Sequence, residues 1–173
     1  MHAEMQLIDL LTERLMSHGY EAVEGNKDTG RTPDLSVLKT QRRYMMSYVC
    51  ALVRIPPDVN NIRDLKQLHR KIRTLLAKRY AHFPWFKELG TFTIYVCAPE
   101  LFERVRNELS QFNDKTGLHV NTMLATWVVS RKTFDAAGQS TWGLFSRAAQ
   151  TVGVIGAVLA EFHTHYAANP LRH

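Results

Sequence analysis

The segment Tyr44-Met-Met-Ser-Tyr-Val-Cys-Ala-Leu-Val-Arg-Ile55 decides the fold class. Its odd positions and its even positions are both mostly apolar. A strand that is apolar on both faces belongs in the middle of a sheet that helices cover on both sides. Pro56 and Pro57 end this strand, because neither residue can donate a hydrogen bond to a ladder. The segment therefore predicts the central strand of a helix-covered sheet.

The flanking segments alternate between helical and extended patterns. Helical spacing of apolar residues predicts helices over about 4–18, 61–81, 99–112 and 143–167. Gly19 is expected to cap the first helix, and Asn60 or Asn61 the second. Strands are predicted at 35–38, 91–97 and 120–130, with a short extended segment at 20–23 and a linker at 132–142.

This alternation predicts the α/β class, with parallel strands joined through helices. We expect a single domain over residues 1–173, with a central mixed sheet of about four to five strands flanked by helices. The expected core spans about residues 5–131, and the helix over about 143–167 is expected as a C-terminal addition.

Composition narrows the class of protein and of partner. With 45% hydrophobic and 22% charged residues, the chain is of ordinary globular composition and not disordered. A formal net charge of +6 favours an acidic partner such as nucleic acid or an acidic protein. Cys50 and Cys97 lie in apolar runs, so we expect buried reduced thiols and a cytoplasmic protein. The uncharged stretch 148–160 is too short to cross a bilayer.

The helix predicted after Pro57 has a face that is almost entirely basic. Opposite its apolar arc it carries one acid, Asp64, and six cations: Arg63, Lys66, Arg70, Lys71, Arg73 and Lys78. Such a stripe could neutralise backbone phosphates, and no base-reading motif accompanies it, so binding would be independent of sequence. We predict the contact residues to be Arg63, Lys66, Arg70, Arg73 and Lys78, extended by Arg42 and Arg43. The alternative is a solvated face, or one paired with acids from elsewhere in the fold.

The segments Thr32-Pro-Asp-Leu-Ser-Val-Leu38 and Arg43-Tyr-Met-Met-Ser-Tyr-Val-Cys50 follow a helix and a turn rich in glycine and threonine. This order resembles the restriction-endonuclease-like (PD-(D/E)xK) nuclease superfamily. The resemblance implies that Asp34 matches the acid that binds a divalent cation. It also places the second acid at Ser47 and the lysine at Val49, and neither residue can perform that chemistry. The implied protein is a non-catalytic member of the fold that needs no cofactor.

Two other interpretations stay open beside this one. The first is a Mg²⁺-dependent nuclease with displaced ligands around Asp34. Its second acid would come from Glu4, Glu13, Asp58 or Asp64, and Arg54 or Lys66 would replace the lysine. The second is an assembly protein that forms a homodimer through residues 143–167, where small residues at 153, 156 and 157 would let another backbone approach. Asp34 could equally do no more than start a strand.

Two remaining motifs carry weaker signals. Glu161 and His165 stand one helical turn apart, which suits a metal, but two ligands on one segment do not make a site. The aromatic run His82-Phe-Pro-Trp-Phe86 could stack bases, although burial against the sheet is the more common use of such residues. We therefore predict no metal site from the sequence and assign no role to the aromatic run.

Overall fold

Helices and strands alternate along the chain much as the apolar pattern predicts. The structure, a computed structural model, describes residues 2–23, 35–40, 46–80, 88–112, 121–140 and 146–168. The order of elements is α1 (His2–Ser17), β1 (Tyr20–Val23), β2 (Leu35–Thr40), β3 (Met46–Arg54), α2 (Ile62–Tyr80), β4 (Glu88–Cys97), α3 (Pro99–Val105), a 3₁₀ turn (Leu109–Phe112), β5 (Asn121–Ser130), β6 (Ala136–Ser140) and α4 (Ser146–Ala168).

The described strands form one mixed sheet, in the spatial order β1-β2-β3-β4-β5-β6. Strands β1, β2 and β3 form an antiparallel meander, and β6 is antiparallel to β5. The pairs β3–β4 and β4–β5 are parallel, and each is connected through a helix. The predicted α/β class and mixed sheet are confirmed, whereas the expected count of four to five strands is too low.

Strand β3 is buried on both faces, as its sequence predicts. Cys50 and Leu52 pack into the apolar cluster that contains the inner sides of α1 and α4. Ala51 and Val53 pack into the second cluster, beneath α2 and α3. The molecule is therefore a three-layer sandwich with β3 near its centre, and each fully buried Leu or Val contributes about 1.5–3 kcal/mol.

Helix α1 has the cap that its pattern predicts, and it begins at His2, two residues before the expected start. Leu7, Leu11 and Leu15 are fully buried along its inner side. The chain reverses at Gly19, whose φ of 82° lies in the left-handed region that glycine adopts without strain. The Gly19 N–H donates to the carbonyl of Met16 at 3.0 Å and so satisfies one of the last free carbonyls of the helix.

Two boundaries expected from the sequence and the expected role of the last helix are wrong. Residues 132–142, expected as a linker, contain the edge strand β6. The helix expected over 99–112 stops at Val105, and the chain then tightens into the 3₁₀ turn, which buries Leu109 and Phe112. Helix α4 is part of the core rather than an addition to it, because Ile155, Val158 and Leu159 are buried against the sheet. In each case tertiary packing outweighs local preference.

The turn between β5 and β6 carries a strained residue. Phe134 has a φ of 53°, a left-handed conformation that costs a residue with a side chain roughly 1–2 kcal/mol. Its ring is buried and lies 5.0 Å from the ring of Phe162 and 4.6 Å from that of Tyr166, measured between centroids. This aromatic contact with α4 offsets the strain and fixes the hairpin.

Substitution by alanine should change the free energy of unfolding in opposite directions at Gly153 and at Gly90. Gly153 lies within α4, and a Cβ built there meets no atom within 4 Å, so Gly153→Ala should raise the free energy of unfolding by about 0.5–1 kcal/mol. A Cβ at Gly90 would lie 2.6 Å from Leu124 and 2.7 Å from Tyr48, so Gly90→Ala should lower it by about 1–3 kcal/mol. Urea denaturation of both variants measures the difference. Equal shifts would contradict the packing described here.

Candidate functional site: the basic face of helix α2

Helix α2 begins with a reciprocal cap. The Asp64 N–H donates to the Asn61 side-chain oxygen at 3.0 Å, and the Asn61 amide donates back to the Asp64 carboxylate at 2.6 Å. This arrangement satisfies one backbone donor of the first turn and places a negative charge at the positive end of the helix. Asn61 is therefore the cap, as one of the two alternatives predicts. Asp64, the only acid of the basic face, is held within this cap.

The opposite side of α2 fixes the helix to the sheet. Leu65, Ile72 and Leu76 are buried at 0–1% exposure beneath the helix. This anchoring leaves Arg63, Arg70, Lys71 and Lys78 exposed on the outer side. None of these four cations forms an ion pair with a carboxylate in the part of the chain that the structure describes. The predicted one-sign surface is thus present at these positions.

Other predicted contact residues are placed differently. Lys66 is half-buried and donates a hydrogen bond to the Gln111 side chain, beyond the end of α3. Arg73 is only 6% exposed, so the prediction that it shares the solvent-facing arc is wrong. At about 100° per residue Arg73 stands at the margin of that arc, and the helix is rotated so that this margin faces the sheet. Arg42 and Arg43 lie outside the described residues.

Beneath α2 lies a buried polar contact that the sequence analysis missed. The Nδ1 atom of His69 is 2.6 Å from the hydroxyl of Tyr95, and the His69 ring meets the Phe112 ring edge-on at 5.2 Å. Burial and the nearby Arg73 guanidinium lower the pKa of His69 to about 3, and the Phe112 backbone opposes this shift more weakly. The imidazole is therefore neutral at neutral pH. The position of His69 on the apolar arc of α2 was the feature of the sequence that indicated its burial.

A groove of about 760 Å³ runs beside α2. Its floor includes the apolar side chains of Val59, Leu68 and Leu75. Lys71 and Lys78 line it toward the C-terminal half of the helix. Asp58 and Asp64 line its other end, which makes the groove acidic near the start of α2 and basic farther along. The groove therefore combines an apolar floor with segregated charges.

At the carboxyl edge of the sheet, Glu4 is held between two arginines. Its oxygens lie 3.0 Å from Nε of Arg54 and 2.8 Å from Nε of Arg131. Neither N–H is aimed closely enough at the oxygen for a hydrogen bond, so the contacts are ion pairs. Arg131 also donates to the Ile55 carbonyl at 3.0 Å. The cluster ties the start of α1 to the ends of β3 and β5.

The positions matched to the second acid and the lysine, Ser47 and Val49, lie on β3. Asp34 lies outside the described residues, but its neighbour Leu35 pairs with Val53 near the end of β3. Ser47 lies six residues before Val53, so the two residues are about 20 Å apart along β3. Val49 is buried in the core. The match of these two positions to the second acid and the lysine stays a prediction. Among the proposed replacements, only Glu4 and Arg54 meet.

No metal site is visible in the described parts of the chain, where no group of three His, Cys, Asp or Glu side chains could hold an ion. Glu161 and His165 are exposed, and Glu161 lies 3.7 Å from Arg14. Cys50 and Cys97 are free, buried thiols, as predicted, and burial raises the pKa of each to about 12. The aromatic run 82–86 lies outside the described residues.

Helix α4 presents its small residues outward. A Cβ added at Gly153 or Gly156 meets no atom within 4 Å, and Ala157 is exposed. Association through this helix stays a prediction. None of the described helices is long and apolar enough to cross a membrane.

No protein-family model, no curated protein and no solved structure matches this chain.

The burial of His69 predicts a pH-dependent stability. Its pKa is about 3 in the folded protein against an ordinary value of 6.5, so the unfolded chain binds the proton first as the pH falls. Stability should therefore decrease between pH 6.5 and pH 3, by at most about 1.4 kcal/mol per pH unit from this group. His69→Gln should flatten the decrease, measured by urea denaturation at a series of pH values. His165→Gln, at an exposed position, is the matched control, and identical slopes for both variants would exclude the assignment.

Proposed function

We propose that this protein is a non-catalytic α/β module, built on a restriction-endonuclease-like scaffold, that binds nucleic-acid backbones through the basic face of α2. The observation that carries the proposal is the set of four exposed cations without ion pairs among the described residues: Arg63, Arg70, Lys71 and Lys78. Most exposed helix faces mix charges of both signs and gain from pairing them. A face of one sign stays repulsive until an anion covers it.

The dimensions of this face suit a phosphate backbone. From Arg63 to Lys78 the helix rises about 22 Å, at 1.5 Å per residue. Duplex DNA carries one charge per about 1.7 Å of axis, so a contact of this length meets more phosphates than there are cations. Backbone contacts carry no sequence information, and the proposed binding is accordingly independent of sequence.

The cluster at the sheet edge supports the non-catalytic part of the proposal. A carboxylate that contacts two guanidinium groups is a poor cation ligand, because a metal would have to displace an arginine and approach a second positive charge. Glu4 is in this position, and Asp64 is held within the α2 cap. Two of the acids considered for a displaced metal site thus already have partners within the protein.

Binding should be strongest at low salt. Fluorescence anisotropy with a labelled duplex should give a slope of log K against log salt of about −3 to −4, as expected for four phosphate contacts. Arg70→Glu should weaken binding and reduce the slope. Lys132→Glu makes the same change in net charge at an exposed residue of the turn between β5 and β6, and should have a smaller effect. Absence of binding to any DNA or RNA at low salt would refute the proposal. Binding only to an acidic protein would show that the basic face recognises a protein and not nucleic acid.

A nicking assay tests the enzymatic alternative directly. The purified protein should leave supercoiled plasmid intact with Mg²⁺ or Mn²⁺, and Asp34→Ala should behave like the wild type. Metal-dependent nicking that Asp34→Ala abolishes would establish a nuclease with displaced ligands. A trace of nicking that survives the substitution would indicate a contaminating nuclease.

A further inference from the structure

Helix α1 has an exposed face whose chemistry complements the α2 groove. Met5 and Met16 are 45% and 50% exposed, and they are the only large hydrophobic side chains exposed in the described part of the chain. Asp9 and Glu13 are exposed beside them. At about 100° per residue these four side chains fall within an arc of about 80°. We refer to them together as the α1 acidic face.

The α1 acidic face has no charge partner within the described residues. Neither Asp9 nor Glu13 forms an ion pair or a hydrogen bond there. Met5 accepts one polar contact, from the Arg54 guanidinium at 3.2 Å, and is still nearly half exposed. A helix face that combines thioethers with carboxylates fits a site that offers apolar surface and cations.

The α2 groove offers such a site. Leu68 and Leu75 supply apolar floor, and Lys71 and Lys78 supply the cations. Residues 64–78 of α2 line it over about 21 Å, and the 16 residues of α1 span about 24 Å. The two surfaces are therefore of similar length, and the basic half of the groove is opposite in charge to the α1 acidic face.

The two surfaces cannot meet within one molecule. Leu7, Leu11 and Leu15 hold α1 against one face of the sheet. Leu65, Ile72 and Leu76 hold α2 against the other face. Since the sheet separates them, only a second copy of the chain can bring an α1 acidic face into an α2 groove.

We propose that the protein self-associates by docking the α1 acidic face of one copy into the α2 groove of another. An antiparallel alignment of the two helices places Glu13 near Lys71 and Asp9 toward Lys78. It also brings Met16 toward Leu68, and it pairs the helix dipoles favourably. This inference goes beyond the proposed nucleic-acid binding, since it uses the groove beside α2 and requires no nucleic acid.

The small area of the contact implies weak association. One helix laid in a groove buries less than the roughly 1,200–2,000 Å² of a stable interface, so association should develop only at high protein concentration. Because the two surfaces differ, each added copy still presents one of them. The contact therefore builds assemblies larger than a dimer or closes into a ring.

A charge-swap experiment tests the proposal without nucleic acid. The mass of the wild type, measured by light scattering, should rise with concentration and fall again with added salt. Glu13→Lys and Lys71→Glu should each weaken association at least tenfold, because like charges then face each other across the contact. An equimolar mixture of the two variants should associate again, since the intact α1 of one then meets the intact groove of the other.

Control variants distinguish this contact from association through a different surface. Gly156→Leu alters the outer face of α4 and should leave the association unchanged, whereas a loss would place the contact at α4. Circular dichroism shows whether each variant is folded. Glu13→Lys leaves every α2 cation in place and should retain duplex binding, so failure of one proposal does not entail failure of the other. A wild type that is monomeric at every concentration, or a mixture that does not associate, would overturn the inference.

Discussion

The double burial of β3 is the constraint on which the rest of the structure depends. A strand that is apolar on both faces requires a helix layer above and below it, and two separate apolar clusters form on its two sides. Helices α1 and α4 complete one cluster, and α2 and α3 complete the other. The position of α2 follows from this requirement. Once Leu65, Ile72 and Leu76 cover β3 and β4, the four cations Arg63, Arg70, Lys71 and Lys78 face outward.

Polar groups within this apolar framework fix how its layers fit together. His69 reaches from α2 to the hydroxyl of Tyr95 on β4, which sets the rotation of the helix over the sheet. Burying a polar group without a partner would cost about 1–3 kcal/mol, so a rotation that breaks this contact is disfavoured. Glu4 does the same on the other face by joining α1 to Arg54 and Arg131. Each layer thus has a polar contact that favours a single packing arrangement.

The parts of the fold that were predicted are those with strong periodic signals. The strand around Cys50 and the helix from Ile62 to Tyr80 are predicted correctly because the spacing of their apolar residues indicates which sides are buried. Strand β6 has the sequence Ala-Ala-Gly-Gln-Ser, which has little strand preference of its own and forms by pairing with β5. The exposure of Arg63, Arg70 and Lys78 follows from the predicted helix. The burial of Arg73 and the hydrogen bond of Lys66 to Gln111 depend on how α2 packs in the fold. The Glu4 cluster joins residues distant in sequence, so no local pattern could reveal it. The described residues that line the groove all lie between Pro56 and Lys78, but which of them are exposed depends on how α2 packs on the sheet.

The strained turn at Phe134 bears on the order in which the sheet is completed. A left-handed phenylalanine is disfavoured in an isolated hairpin, and short two-stranded hairpins are themselves only marginally stable in water. The rings of Phe162 and Tyr166 offset that strain, so β6 becomes stable only when α4 has docked. Until then one edge of β5 has open hydrogen-bonding groups that another chain could pair with. Loss of the Phe134 contact would therefore first increase aggregation during folding, before it changed the surface of the folded protein.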